Sequence, residues 1–232
     1  MSAVQSQREF GDGPMARGAA AVYHVLVLEF LLILSASPGL ILLFSLAPEP
    51  SNIPLVALAL VPCGPALSAT IFAWRAALSQ GGLEPARHFV RGYRLNAVGI
   101  LRWWVPALAV LAVLGIDLAH LDAIGSLNGG ARVVLGMILV LVAIVVVVIM
   151  LHALVVTSLF ELRTRDALKL ALHHAGRFPW VTLGALSITV LGLGLTVMTS
   201  DWVPAVFGSL FALILFHNAK AIIRDIEENF TV

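Results

Sequence analysis

Hydrophobic and polar positions fall along this chain in long blocks rather than at the short period of a soluble amphipathic fold. The longest block, residues 131–160, reads ARVVLGMILVLVAIVVVVIMLHALVVTSLF and is interrupted only by Arg132 and His152. From Val133 to Leu151 it holds 19 residues without a charge or a helix breaker, the length that crosses a bilayer as a helix. Its β-branched residues would favour a strand in water. A lone strand cannot cross lipid, because its edge amides would go unpaired, so the block predicts a transmembrane helix.

The same reading applied in chain order predicts six spans. Span one covers 19–46 and contains Pro38-Gly39, a possible kink. Pro48, Pro50 and Pro54 turn the chain into span two, 54–78, whose Pro62, Gly64 and Pro65 weaken the helix in mid-membrane. Such a break must be buried against protein. Residues 84–94 predict a short amphipathic elbow helix, started by Glu84-Pro85, with Phe89 and Tyr93 beside Arg87, Arg91 and Arg94. Span three, 98–120, opens with Arg102, Trp103 and Trp104 as interface anchors. Span four is the 131–160 block, long enough to tilt or project. A second elbow follows at 161–177, with Thr164 and Asp166 placed to cap it and Lys169, His173 and Arg177 along one face. Span five, 179–198, turns at Thr199, Ser200 and Asp201 into span six, 203–223.

The fold class expected is therefore all-α: a polytopic membrane protein with six transmembrane helices, short cytoplasmic amphipathic elbows and both termini in the cytoplasm. Residues 1–16 read as a flexible cytoplasmic N-terminus, 17–226 as one transmembrane domain and 227–232 as a short tail. The N-terminal segment lacks the short apolar core and small-residue cleavage site of a signal peptide, so it is expected to be retained. The order of helix, basic elbow and helix occurs twice, and is either a parallel repeat or a chance likeness of two basic loops.

Composition agrees with the pattern. The chain is 60% hydrophobic and 12% charged, about half the roughly 25% charged residues of a soluble domain, and its mean hydropathy is +1.00. The charges are unevenly placed: with both termini inside, 13 of the 14 Lys and Arg residues fall on the cytoplasmic side, leaving Arg132 outside. That asymmetry predicts a multi-pass membrane protein, N-in and C-in. The single cysteine, Cys63, excludes an intrachain disulfide and a cysteine-cluster metal site.

The candidate chemistry is sparse. Glu29 is an acid inside the first apolar block, where it needs a partner, water or a proton. It reads either as a coupling or substrate-facing group or as a residue near the inner headgroups, satisfied by Arg17 or an elbow arginine. His152, near the cytoplasmic end of span four, and His217 with Asn218, near that end of span six, would form a polar network with Glu29 at similar depth. Neither His-x-x-x-His nor Glu-x-x-His occurs on these spans, so no metal site is expected. Asp117, His120 and Asp122 read as a solvated outer helix end, and His173-His174 as contacts to anionic lipid. Serines within the spans return their hydrogen bonds to the backbone. No nucleophile–base pair, phosphate loop or HExxH sequence is present, so no catalytic residue, cofactor or nucleic-acid partner is expected.

Pro62, Gly64, Pro65 and Ala66, followed by Ala69, Phe72 and Arg75, together with the segments 84–93 and 166–178, give the chain its likeness to a known family. Over 17–226 it resembles the YesL-like family of bacterial integral membrane proteins, which carry a domain of unknown function. Members are often encoded beside sugar-uptake ABC transporter components and glycoside-degrading enzymes. The resemblance implies an accessory subunit of a carbohydrate ABC uptake transporter, and carries no catalytic residues onto this chain. An independent small-solute transporter or channel, single or dimeric, is the alternative, with Glu29 and the broken second span lining its path; a structural or lipid-binding role through the elbows is a third. Partners expected are membrane lipids and either ABC permease subunits or further copies of the chain. Contacts are expected through Arg87, Arg91, Arg94 and the Glu29, His152, His217 and Asn218 positions.

Overall fold

The structure, a computed structural model, describes residues 14–80, 83–123, 128–198 and 206–230. Nine α-helices occur among them: α1 Pro14–Ser45, α2 Ile53–Ala59, α3 Cys63–Gln80, α4 Pro85–Ala119, α5 Gly129–Leu159, α6 Thr164–Arg177, α7 Pro179–Met198, α8 Gly208–Asn218 and α9 Lys220–Phe230. One-turn 3₁₀ segments at Pro50–Asn52 and Leu121–Ala123 join them. α1 (from Gly18), α4, α5 and α7 are each long and apolar enough to cross a membrane; α2 and α3, bent by 41° at their junction, add a fifth candidate span. The molecule is an all-α fold of several apolar helices suited to spanning a membrane.

Three sequence expectations change in detail. The segment expected as the first elbow is no separate helix: it forms the opening turns of α4, which begins after Glu84 with Pro85 in its first turn and no side-chain cap. Nothing in Leu95-Asn96-Ala97 breaks a helix, so the helix runs on for 35 residues. The segment expected as a sixth span is divided. α8 has 11 residues, about 16 Å at 1.5 Å per residue, and Ala219 separates it from α9. In α9, Ile222, Ile223 and Ile226 are buried while Lys220, Arg224 and Glu228 are exposed. A hydropathy window counts those isoleucines as membrane-facing, whereas they form one stripe of an amphipathic helix. The boundary drawn at 226 therefore falls inside α9. The caps expected from Thr164 and Asp166 are also not made: α6 starts after Arg163 without a side-chain cap. The turn at 199–201 and the first 13 residues lie outside the described residues.

α3 is the centre of the bundle. Ala66, Ser68, Ala69, Thr70, Ile71 and Ala73 are all fully buried, and the small alanine, serine and threonine side chains let α1, α4, α5 and α8 approach closely. The break expected at Pro62 lies between α2 and α3, where residues 60–63 are half-buried against the neighbouring helices. The Leu60 carbonyl accepts from the Trp104 indole of α4 at 3.0 Å. A Cβ on Gly64 would enter the Trp104 ring, and one on Gly39 of α1 would collide with the Ala59 carbonyl. Glycine is what allows both helices to press against the exposed backbone of the break.

The C-terminal turns of α3 and α5, the first turns of α4, and α6 and α9 gather at one end of the bundle, which carries most of the basic residues. There Arg75 of α3 donates to the Leu159 carbonyl at 2.9 Å and to Glu227 at 2.6 Å, and lies over the Phe160 ring. Asn96 donates to the Ser158 carbonyl at 3.0 Å. His174 is fully buried between Leu170 O at 2.8 Å and Asp225 at 3.0 Å, and Arg177 reaches the other Asp225 oxygen at 3.3 Å. At the opposite end Arg132 pairs with Asp122 at 3.0 Å.

Candidate functional site

Glu29 sits on the face of α1 that bears Leu28, Leu32 and Ala36, all buried, while Leu26, Phe30, Leu34 and Ile41 are exposed. The i, i+4 spacing of the buried face turns the carboxylate into the protein, and 9% of the residue is exposed. It lies about 16 Å along the helix from Gly18, where the apolar stretch begins. Burying a carboxyl group at this position requires hydrogen-bond donors.

The donors are the first backbone amides of α8. Oε1 accepts from Gly208 N at 3.1 Å and Oε2 from Ser209 N at 2.8 Å. The first N–H groups of any helix have no partner within it, and the residue preceding α8, Phe207, contributes no side-chain cap. Glu29 supplies the cap from another helix, and the positive end of the helix dipole favours an acid there. Gly208 makes the approach possible: a Cβ would stand 3.4 Å from Oε1 and within 3.0–3.2 Å of Leu32. Around this contact Ser209 Oγ donates to Val25 O at 3.3 Å, and Trp74 Nε1 donates to Ser209 O at 3.0 Å. One node thus ties together α1, α3 and α8.

The other expected site residues are placed apart from it. His152 is buried and directs Nδ1 to Val148 O at 2.8 Å; its Nε2 stands 3.5 Å from Thr182 Oγ1. His217 is exposed, with Nδ1 at 3.0 Å from Leu213 O. Asn218 donates to Val181 O at 2.8 Å and packs on Gly184, pinning the end of α8 to α7. Glu29 and His217 therefore mark opposite ends of α8 and belong to no common network. No group of three or more His, Cys, Asp or Glu among the described residues is arranged to hold a metal ion. Arg87 pairs with Glu84 in solvent at 2.9 Å, and Arg91 and Arg94 are exposed on the same helix.

Reading the sequence missed the partners. Ser158 donates to Ser68 at 2.8 Å as well as to its own helix, and the His174–Asp225–Arg177 cluster joins α6 to α9. The available signal for the Glu29 node is Gly208-Ser209, a pair of small residues within an apolar stretch.

Two apolar clefts complete the picture. One of about 360 Å³ lies between α1, the α2–α3 break, α7 and the start of α8, with Leu32, Ala36, Leu40, Gly208 and Phe211 in its wall. The other, about 380 Å³, lies between α4, α5 and α7, lined by Leu114, Val140, Ile144 and Leu193 among others. Aliphatic and small residues dominate both walls, and the Glu29 oxygens are turned to backbone amides. The arrangement holds helices together. Compared with known proteins, the chain matches no family model, no curated protein and no solved structure.

Proposed function

We propose that this protein is an accessory integral-membrane subunit of a carbohydrate ABC uptake transporter, with no catalytic chemistry of its own. The observation that carries the reading is where the polar groups of the apolar helices end. Glu29, Trp74, Asn96, Trp104 and Asn218 bind this chain's own backbone, and Ser68 and Ser158 bind each other. A solute path needs polar groups turned towards a cavity. A packing subunit needs them spent internally and its apolar surfaces turned outward. The carbohydrate assignment rests on the YesL-like resemblance.

The same reading places six membrane passages in a bacterial cytoplasmic membrane, with α8 completing the last and both termini inside. Clustering of the basic residues at the end formed by α6, α9 and the start of α4 supports that orientation. α6 then serves as the cytoplasmic elbow between α5 and α7.

The alternative of an independent solute transporter draws on a specific feature. α8 is a short helix whose N-terminus meets a buried acid and whose first residue lines a cleft, a geometry related to the discontinuous helices of transporters.

A mild-detergent pull-down of the tagged protein from its native membrane, with mass spectrometry of the retained proteins, separates the two. Sugar ABC permease subunits in near-stoichiometric yield are expected. Recovery of the chain alone, as a homo-oligomer, would overturn the accessory reading.

A further inference from the structure

The exposed face of α4 carries the least compensated charge among the described residues. Arg87, Arg91, Arg94 and Arg102 are all exposed. At 100° per residue they fall within an arc of about 80°, over about 22 Å of helix. The buried residues Phe89, Gly92, Ile100 and Trp103 occupy the opposite side. Arg87 has Glu84 beside it, well exposed and so weakly bound. Arg91, Arg94 and Arg102 form no ion pair among the described residues.

Basic residues elsewhere at this end are interrupted by acids. Arg163, Arg165 and Lys169 share α6 and its approach with Glu161 and Asp166, and Lys220 and Arg224 share α9 with Asp225, Glu227 and Glu228. Arg75 and Arg177 are paired to α9. Among the described residues, only on α4 does an arginine row pass without an intervening acid into an apolar surface. Val98 lies within the row, and Val105, Ala109 and Val113 continue the same exposed face towards the other end.

We propose that this face of α4 is a binding site for an anionic phospholipid of the leaflet at the basic end. Arg91, Arg94 and Arg102 hold the phosphate-bearing headgroup, and an acyl chain lies along Val105, Ala109 and Val113. A row of guanidinium groups suits phosphate oxygens. The change from arginine to aliphatic along one face matches the passage from headgroups to hydrocarbon, with Arg102 extending its side chain back towards the headgroup layer. A water-soluble acidic partner would account for the arginines and leave the aliphatic continuation unexplained. The proposal rests on the membrane-spanning reading and is independent of the transporter partner.

The test uses the full chain in bilayers of phosphatidylcholine containing a minor fraction of phosphatidylglycerol, with retained lipids counted by native mass spectrometry. Phosphatidylglycerol is expected to be enriched over its share of the bilayer on the order of fivefold or more, the scale set by arginines at an anionic surface. R91Q/R94Q/R102Q is expected to bring retention down to the bulk ratio, while R163Q/R165Q, which also removes basic charge at this end, keeps it. All these side chains are exposed, and unchanged melting temperatures would check that each variant is folded.

Equal retention of the two lipids by the wild-type chain would overturn the proposal. So would enrichment that survives the triple variant, or an equal loss in R163Q/R165Q, which would signal diffuse charge rather than a site. Failure of the wild-type chain to float with vesicles of either composition would remove the membrane reading and this proposal together. Flotation with equal lipid retention would remove this proposal alone.

Discussion

The two halves of α5 have similar composition and different surroundings. From Val148 to Ser158 nearly every residue is buried, by α3, α4, α6 and their neighbours. From Val133 to Val145 the side chains of Val134, Met137, Leu141, Ile144 and Val145 are exposed. Hydropathy does not separate the halves. In a bilayer the lipid tails are as apolar as leucine, so burial follows close approach and hydrogen bonding rather than hydrophobicity. The packed half has Ala153, Thr157 and Ser158, with Ser158 bonded to Ser68 across the interface. The exposed half offers mainly branched and long aliphatic chains with no such contacts.

If that contrast is right, a single methyl group should matter far more at the packed end. A Cβ on Gly92 would come within 2.8 Å of Phe72, whereas one on Gly194 meets nothing within 4 Å. Gly92→Ala is expected to cost about 1–3 kcal/mol from overpacking, and Gly194→Ala less than about 0.5 kcal/mol. Thermal unfolding in one detergent would compare them directly; equal shifts would erase the distinction between the closely packed and the open helix surfaces.

A smaller effect is expected at the α6–α9 junction. Asp225→Ala removes the partner of buried His174 Nε2 and the Arg177 contact. The expected loss is about 1–2 kcal/mol, accompanied by increased proteolysis of α9. Arg75→Ala gives up Leu159 O and Glu227, but both side chains are over a third exposed. With solvent screening the loss should stay near 1 kcal/mol or below.

Much of this arrangement was legible in the chain. The apolar blocks located α1, α4, α5 and α7, and Pro62 with Gly64 located a break that required a protein neighbour. The neighbour itself, Trp104, was read only as an interface anchor. What stayed hidden was pairing at a distance: Glu29 and Ser209 are 180 positions apart, and no local spacing joins them. Continuity was hidden too. Helix period alone does not distinguish an elbow followed by a span from the single helix α4, and an average over 203–223 merges apolar α8 with the amphipathic start of α9.

The smallest effect on the isolated protein is expected from the exposed half of α5. Met137→Ala with Leu141→Ala should change unfolding by less than about 0.5 kcal/mol. If this surface packs against a transporter subunit, the same variant should lower the yield of that subunit in the pull-down. A large loss of stability in the isolated chain would show that these residues already have neighbours.

The central claim is that Glu29 is an internal helix cap, and thermal unfolding of Glu29→Leu and Glu29→Gln beside the wild type tests it most directly. Leucine leaves the Gly208 and Ser209 amides without acceptors and should cost about 2–4 kcal/mol; glutamine keeps one acceptor oxygen and should cost about half as much. That ordering, with both variants less stable than the wild type, is the predicted result. Wild-type or higher stability in both variants would contradict the cap and mark Glu29 as a group kept for a solute.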